Sequence, residues 1–397
     1  MRSRDPITCE GTNGTARTGA HASAHAGTHA STHVSAFAAR HAPVHAAGYI
    51  RYPGEAPGRD RVLWLLASSF GRTVSGDEIG RALGMSRPAV WKHVQSLIAA
   101  GLPVEPVKGR GYRLIQPLDL IIPDGILRSL HTRTIGRTLF CAQETGSTNN
   151  DAKDMACESP DGAVFMAEVQ NLGKGRIGRT WSSPPGGVYM SILLKPDIPP
   201  SQAPGLALVA GYAVASTLRS LFGLDARVKW PNDVLVGGKK VCGVLCEMRA
   251  ESDRVADIVV GIGINANVEI KGLPAATRET AASLNDLIGR TVDRSLLIAN
   301  VLNSFEAAYE EYLRSGMESL ARRITEIAAY LGQEVTVKNL TAAHSKETTG
   351  TFLGIDPQGR AVLKLPGGES IAVSAGDLSL RVRRRSGASS SSRPCRP

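Results

Sequence analysis

Gly173-Lys174-Gly175-Arg176-Ile177-Gly178-Arg179-Thr180-Trp181, followed by Ser182-Ser183-Pro184-Pro185-Gly186-Gly187, is the stretch on which the fold turns. Its glycines permit tight turns and close approach to a ligand. Lys174, Arg176 and Arg179 place three cations in the same loop, and Arg offers a planar fork that matches phosphate or carboxylate oxygens. Gly173, Gly175 and Gly178 also satisfy the G-x-G-x-x-G spacing of a dinucleotide-binding turn. That turn must open a helix and hold pyrophosphate on backbone N–H groups. Trp181 and the Ser-Ser-Pro-Pro-Gly-Gly run behind it cannot open one. No Walker A pattern is present either. The loop is therefore an anion cradle on a different α/β architecture.

Outward from the loop, strand character falls at residues 138–142, 163–169, 188–194, 240–247 and 258–264, and long helices at 204–222 and 294–312. Helices do not alternate regularly with these strands. Pro117 to Pro123 reads as a linker, and the spacing beyond it predicts a mixed α/β body over residues 124–315, not a purely parallel doubly wound sheet. A helix over 320–331 and short strands at 334–337, 349–353, 361–365 and 370–373 follow. Asp356-Pro357-Gln358-Gly359 and Pro366-Gly367-Gly368 supply turns between them, which predicts an SH3-like β-barrel over residues 316–381.

On the other side of the body, residues 58–115 carry nine Lys/Arg against four acids, whereas residues 116–380 carry 26 against 29. Most of the excess of +10 therefore lies outside the body. Within this basic stretch Leu63, Leu66, Ala67 and Phe70 recur at helical spacing. Ser75 and Glu78 form a capping box for a helix over 76–83. Ser86 caps a third helix, with Pro88 tolerated in its first turn. Val90, Val94, Leu97 and Ile98 make the apolar stripe of that helix, and Lys92, Gln95 and Ser96 face away. Strands at 104–107 and 112–115 flank Lys108-Gly109-Arg110-Gly111 as a basic hairpin. Residues 58–116 thus read as a winged helix-turn-helix, its third helix entering a major groove and its wing touching backbone. Arg87, Lys92, Gln95, Lys108 and Arg110 are the candidate DNA contacts. A solvated bundle face would use similar residues, but the basic hairpin tip and the charge excess favour nucleic acid.

Residues 1–57 are rich in Ala, His, Thr and Gly and read as a disordered extension. His21, His25, His29 and His33 recur every four residues, a stripe that could chelate metal on a helix, although low-complexity composition favours a solvated segment. Residues 382–397 read as a disordered basic tail. The six cysteines are scattered without a C-x-x-C, as expected of free thiols in a reducing cytoplasm. No apolar run approaches the roughly 20 residues of a membrane span, and no signal-peptide pattern opens the chain. A cytoplasmic protein with no membrane partner is the expectation.

Three further segments have unusual texture. Gly146-Ser147-Thr148-Asn149-Asn150 presents short hydrogen-bonding side chains where a strand gives way to a helix. Lys229-Trp230-Pro231-Asn232-Asp233 sets a carboxylate behind a rigid turn, ahead of Lys239-Lys240. Gly261-Ile262-Gly263-Ile264-Asn265 is a strand whose glycines let a ligand approach the backbone. A helix cap, a solvated hairpin and a bulged core strand are the structural alternatives for the three. In this order, together with Gln170, the cationic loop, Trp181, Lys240 and Gly243, these segments closely resemble the biotin–protein ligases. The resemblance runs from about residue 60 to 380. Because it includes the DNA-binding module, it is closest to the bifunctional members that also repress transcription.

The resemblance implies an enzyme that makes biotinyl-5'-AMP from biotin and ATP with Mg2+, then transfers biotin to one lysine of a biotin carboxyl carrier domain. By resemblance, Lys174, Arg176, Lys240 and Asp233 carry catalysis. Ser147, Thr148, Asn149, Gln170, Lys174, Gly175, Arg176, Lys240 and Gly243 bind biotin. Arg179, Trp181, Asn232 and Asn265 hold ATP or the adenylate, and no metal site is built from protein side chains alone. A homodimer on operator DNA is implied for the adenylate-bound state. The alternatives are a small-molecule-sensing transcription factor without ligase activity, a ligase that has lost operator binding, and the related lipoate-attaching enzymes. The sensor would need neither Lys240 nor so many loop cations. Two positions depart from the family pattern: Lys174 stands where Arg is usual, and Ile177 where Arg is frequent. Lysine keeps the charge but not the bidentate fork. Lys174→Arg should therefore slow adenylate dissociation, and an unchanged off-rate would refute this account of the loop.

Overall fold

The computed structural model describes residues 49–52, 58–116, 118–251, 254–339, 347–374 and 378–382. Strand β1 (Ile50–Tyr52) comes first. The chain falls into two compact units. One contains residues 58–116 and 154–160, and the other contains β1, residues 118–153 and the described residues from 161 onward.

The smaller unit comprises helices α1 (Gly58–Ser68), α2 (Gly76–Leu83) and α3 (Arg87–Ala99) and the antiparallel strands β2 (Val104–Val107) and β3 (Gly111–Leu114). Ser75 Oγ accepts the Glu78 N–H at 3.0 Å, and Ser86 Oγ accepts the Ala89 N–H at 3.4 Å, so both predicted caps start their helices. Val90, Val94 and Leu97 are buried with Leu63, Leu66 and Ile79, and Ile98 lies half-buried at the edge of the stripe. Strand β3 starts one residue earlier than predicted because Gly111 pairs with Val107. Gly111 has φ 128°, and a Cβ there would lie 2.1 Å from the Val74 carbonyl oxygen. Only glycine lets Val74 and Tyr112 exchange backbone hydrogen bonds of 2.8 and 2.9 Å, which stitch the wing to the segment before α2.

The larger unit continues with α4 (Pro123–Ser129), β4 (Leu139–Thr145), α5 (Thr148–Asp154), β5 (Val164–Gln170), β6 (Val188–Leu194), α6 (Gly205–Phe222), β7 (Ala226–Lys229), β8 (Asp233–Val236), β9 (Lys239–Glu251) and β10 (Arg254–Ile264). Short helices α7 (Ala275–Arg278) and α8 (Leu284–Ile288) lead to α9 (Arg294–Ser315). The strands form one sheet in the order β1-β4-β5-β6-β10-β9-β8-β7. Only the β4–β5 pair is parallel, so the sheet is mixed as expected. β6 is buried along its whole length, in keeping with its nearly continuous apolar sequence. α6 is apolar almost all round and ends where Gly223, at φ 66°, turns its N–H onto the Arg219 carbonyl. By length and composition the segment Pro200–Phe222 could cross a membrane. Here it is a core helix: most of α6 is buried, and Thr217 Oγ1 ties it to Ser304 on α9 at 3.1 Å. Glu306, buried on α9, accepts backbone N–H bonds from Arg133, Thr134 and Ile135 at 2.6–2.8 Å, the environment a buried carboxylate requires.

After α10 (Glu318–Glu326) come β11 (Glu334–Asn339), β12 (Glu347–Ile355), β13 (Ala361–Lys364), β14 (Ser370–Val373) and β15 (Leu378–Val382). They form an antiparallel sheet in the order β14-β13-β12-β11-β15. The sequence reading stopped at four strands. β15 alternates as Leu-Ser-Leu-Arg-Val but was masked by the arginine-rich run that begins inside it. This sheet packs into the same core as the body. Val228 exchanges backbone bonds with Ile327 and Ala329, and Trp230 Nε1 donates to the Gly359 carbonyl at 3.0 Å.

Two expected loose segments are anchored instead. Residues 49–52 interrupt the expected disorder, because β1 pairs with β4 and Tyr49 is fully buried. From residue 118, the expected linker is pinned by Arg294, which is 1% exposed. Arg294 forms ion pairs with Asp119 and, at 2.7 Å, with Glu168, and it donates to the carbonyls of Gly187 and Asp119. Burial works against its charge, but the two carboxylates outweigh burial and raise its pKa. Glu168 Oε1 and Ser295 Oγ accept the N–H groups of Ile121 and Ile122. The free thiols expected at Cys141, Cys242 and Cys246 are present, whereas Cys157 is disulfide-bonded. Such pairing is set by distance in space, which sequence spacing does not carry. The histidine stripe, Cys9, Cys395 and residues 383–397 lie outside the described residues. Arg294→Met should cost about 3 kcal/mol in urea unfolding, because it leaves Asp119 and Glu168 without their buried cation. Arg322→Ala, from an exposed pair with Glu326, should cost less than about 0.5 kcal/mol.

Candidate active site

A cavity of about 170 Å³ opens in the larger unit. Its walls are the cationic loop, the start of α5, Gln170 at the end of β5, the turn between β7 and β8, Lys240 and Gly243 on β9, and Gly261 and Gly263 on β10. Except for Asn265, every residue expected to act in catalysis or in binding biotin and adenylate lines it.

The loop folds back on itself. The Gly175 N–H meets the Arg179 carbonyl at 2.7 Å, and the Trp181 N–H meets the Gly173 carbonyl at 2.9 Å. At its tip Ile177 and Gly178 both adopt left-handed backbone, φ 55° and 67°. Glycine accepts this freely, but a β-branched residue is strained there by roughly 1–3 kcal/mol. The loop is fastened over the cavity by neutral amides: Lys174 Nζ donates to Asn150 Oδ1 at 2.6 Å, and Arg176 Nη1 donates to Asn232 Oδ1 at 3.3 Å.

A chain of polar side chains also borders the cavity. Gln170 Oε1 accepts both the N–H and the hydroxyl of Thr148, at 2.9 and 3.1 Å, and its Nε2 donates to Ser183 Oγ at 2.9 Å. Thr148 Oγ1 lies 2.7 Å from Ser191 Oγ, and Ser191 donates to Asn149 Oδ1 at 2.6 Å. Asn149 and Lys153 donate to the two oxygens of Glu247, at 2.8 and 2.9 Å. Burial pushes the Glu247 pKa up, but these bonds outweigh burial and hold it below the usual carboxylate range. Gly261 makes room for Asn149: a Cβ there would lie 2.1 Å from Asn149 Oδ1.

Trp181 lies against β9 and β10. Cβ atoms at Gly243 and Gly263 would come within 2.8 and 2.6 Å of the indole, so only glycine fits at either position. The indole Nε1 is buried against Gly263 without a hydrogen-bond partner. Lys240 Nζ lies 5.1 Å from the indole centroid and 2.6 Å from Asp233 Oδ1. Lys229 Nζ approaches the other Asp233 oxygen at 3.7 Å. Trp230 is sunk in the core beside the cis Trp230–Pro231 bond and anchors this turn. Asn232 exchanges bonds with the backbone of Val244.

Asn265, expected at the adenylate, is not brought to the cavity. It is 4% exposed, its Nδ2 donates to the Ala282 carbonyl at 3.2 Å, and its backbone pairs with Val241 and Leu284. Its polar groups are spent on closing β10 against the segment before α8. Sequence reasoning missed Asn150, Ser183, Ser191, Lys153 and Glu247. Ser191 carried a signal, as the lone small hydroxyl in the apolar run Val-Tyr-Met-Ser-Ile-Leu-Leu. The others depend on contacts distant in sequence. Among the described residues no three His, Cys, Asp or Glu side chains gather as a metal site. Asp233, the carboxylate at the cavity, already faces two lysines, so Mg2+ would be carried in by the phosphates of ATP. In the smaller unit Arg87, Lys92, Gln95, Lys108 and Arg110 are all exposed on α3 and the wing, and Trp91 beside them is 57% exposed. Gly263→Ala should drive the indole off β10 and change tryptophan emission. Gly272→Ala, where a Cβ would meet nothing within 4 Å, should not.

The chain is similar to known proteins over most of its length. The Biotin/lipoate A/B protein ligase family matches residues 139–265, an HTH domain family matches residues 59–113, and the Biotin protein ligase C terminal domain matches residues 330–381. The bifunctional ligase/repressor BirA of Bacillus subtilis is 35% identical over 308 residues, which are 77% of this chain and 94% of that protein. BirA of Escherichia coli is 33% identical over 77% of this chain and 92% of its own length. The structure of the Aquifex aeolicus biotin protein ligase in complex with biotin and ATP superposes with a TM-score of 0.55 at 29% identity, covering 62% of this chain and 99% of that one. With its motifs gathered around one cavity and its length shared with these relatives, the chain belongs to the biotin–protein ligase family, alongside the bifunctional ligase/repressors.

Proposed function

We propose that the protein joins biotin and ATP into biotinyl-5'-AMP with release of diphosphate, then passes the biotinyl group to a specific lysine of a biotin carboxyl carrier domain. The observation that carries this is the convergence of Lys174, Arg176, Arg179 and Lys240 on a cavity also lined by the Gln170–Thr148–Asn149 network. In the first step a biotin carboxylate oxygen attacks the α-phosphorus and diphosphate leaves. Both reactants are anions, so their approach needs fixed cations in a site poor in water. The three loop cations screen the phosphates and the incoming carboxylate, and Lys240 does so from the opposite side, oriented by Asp233. Ser147, Thr148 and Gln170 hold the polar head of biotin, where an unmet hydrogen bond costs roughly 1–3 kcal/mol. Trp181, which lines the cavity, offers the adenylate an indole face. In the second step the neutral lysine amine attacks the acyl carbon, AMP leaves, and the amine proton departs with Asp233 positioned to orient or accept it. The loop, latched at Asn150 and Asn232, keeps water from the mixed anhydride.

The exposed basic face of the winged helix supports operator binding by the adenylate-bound protein as a homodimer, with repression of biotin-synthesis genes as the readout. A cytoplasmic setting, where ATP, acceptor and operator meet, belongs to this reading. Biotin-dependent exchange of pyrophosphate into ATP, followed by label on an added carrier domain, tests the enzyme. Lys240→Ala should lower exchange by roughly 100-fold or more without unfolding the protein. Biotin binding without any exchange would favour a small-molecule-sensing repressor instead. A gel shift on DNA upstream of biotin genes that ignores biotin and ATP would remove the adenylate-dependent switch.

A further inference from the structure

The segment that carries β1 precedes every family match, the first of which starts at residue 59. It is nevertheless built into the body that holds the cavity. Ile50, Arg51 and Tyr52 pair with Cys141, Phe140 and Leu139, which covers the edge that β4 would otherwise present. Tyr49, just before them, is 0% exposed. Its ring stands edge-on to Phe165 at 5.7 Å, and Phe165 stacks on Phe140 at 4.6 Å. The Arg51 guanidinium lies 6.0 Å from the Phe140 centroid. The Tyr49 hydroxyl donates to Asp151 Oδ2 at 2.7 Å, and Thr145 Oγ1 donates to the same oxygen at 2.6 Å. Burial and the neighbouring carboxylate push the Tyr49 pKa up, so the phenol stays a donor.

Asp151 lies three residues after Thr148 on α5, a helix of seven residues. A helix that short does not hold its own geometry in isolation. Its placement is set by side-chain ties, among them Gln170 on Thr148, Ser191 on Thr148 and Asn149, Lys174 on Asn150, Glu247 on Asn149 and Lys153, and Tyr49 with Thr145 on Asp151. We propose that residues 49–52 are an edge-strand strap for the ligase site and that Tyr49 is a positioning residue for biotin, holding α5 through Asp151 so that Thr148 and Asn149 face the cavity beside Gln170. This rests on the assignment of that wall of the cavity to biotin.

Tyr49→Phe keeps the ring and deletes only the hydroxyl. In the full-length chain the KM for biotin in pyrophosphate exchange should rise roughly fivefold, part of the value of one hydrogen bond to a charged group. The KM for ATP and kcat should stay within about twofold, and the thermal midpoint should hardly move, because the ring stays packed. Tyr49→Ala should raise the biotin KM further. Calorimetric titration with biotin alone should show the same loss of affinity in Tyr49→Phe. An unchanged biotin KM in Tyr49→Phe overturns the proposal. So does an equal loss toward biotin and ATP, which would mark general weakening of the fold. If the unaltered protein shows no biotin-dependent exchange, the ligase reading fails on its own, and calorimetry with biotin still decides the role of Tyr49.

Discussion

Five cationic side chains, Lys174, Arg176, Arg179, Lys229 and Lys240, line a single cavity, and holding them there against mutual repulsion is the constraint on which the site depends. The fold meets it with partners of two kinds. Lys174 donates to the amide oxygen of Asn150, and Arg176 donates to that of Asn232. Lys240 is set between the Asp233 carboxylate and the Trp181 ring. Each of these partners is itself anchored. Asp233 follows a turn pinned through Trp230 to the Gly359 carbonyl of the C-terminal sheet, and Trp181 lies in a groove kept open by Gly243 and Gly263. The C-terminal sheet therefore belongs to the site by way of its packing.

The polar network beside the cations is largely buried, a combination that is stable only when every donor and acceptor is met. From Ser183 through Gln170, Thr148, Ser191 and Asn149 to Glu247 each side chain is hydrogen-bonded to the next. β5 contributes to this network and to the Arg294 cluster. Gln170 joins the network beside the cavity, and Glu168, two residues earlier, is held by Arg294 together with Asp119. The winged-helix module thus lies in the chain between two anchored segments, β1 before it and Asp119–Ile122 after it.

Periodicity and capping were enough to locate most helices and strands, because amphipathic stripes and Ser caps act within a few residues. The two segments misread as loose, 49–52 and 118–122, have little local pattern. They are ordered by Asp151 and Phe165 in one case and by Arg294 in the other, residues far away in sequence. β15 was obscured by the arginines that begin within it. At the site, the glycine-cation loop, Lys229–Asp233 and Lys240 were legible because anion chemistry demands those residue types in compact runs. Glu247, Lys153 and Ser183 were not, since a single polar residue acquires meaning only from the partner it meets.

By itself, the sequence determined the order of the modules and the glycine-rich, cationic character of the loop, since these follow from local composition and spacing. Tertiary structure decided the rest. It turned Asn265 away from the cavity to satisfy the Ala282 carbonyl, gave Gly243 and Gly263 their purpose as the seat of an indole, and placed Tyr49 under the helix that carries Thr148 and Asn149. The reason is physical. A side chain's role depends on which hydrogen-bond partners and how much free volume surround it, and only the packing of distant segments sets either one.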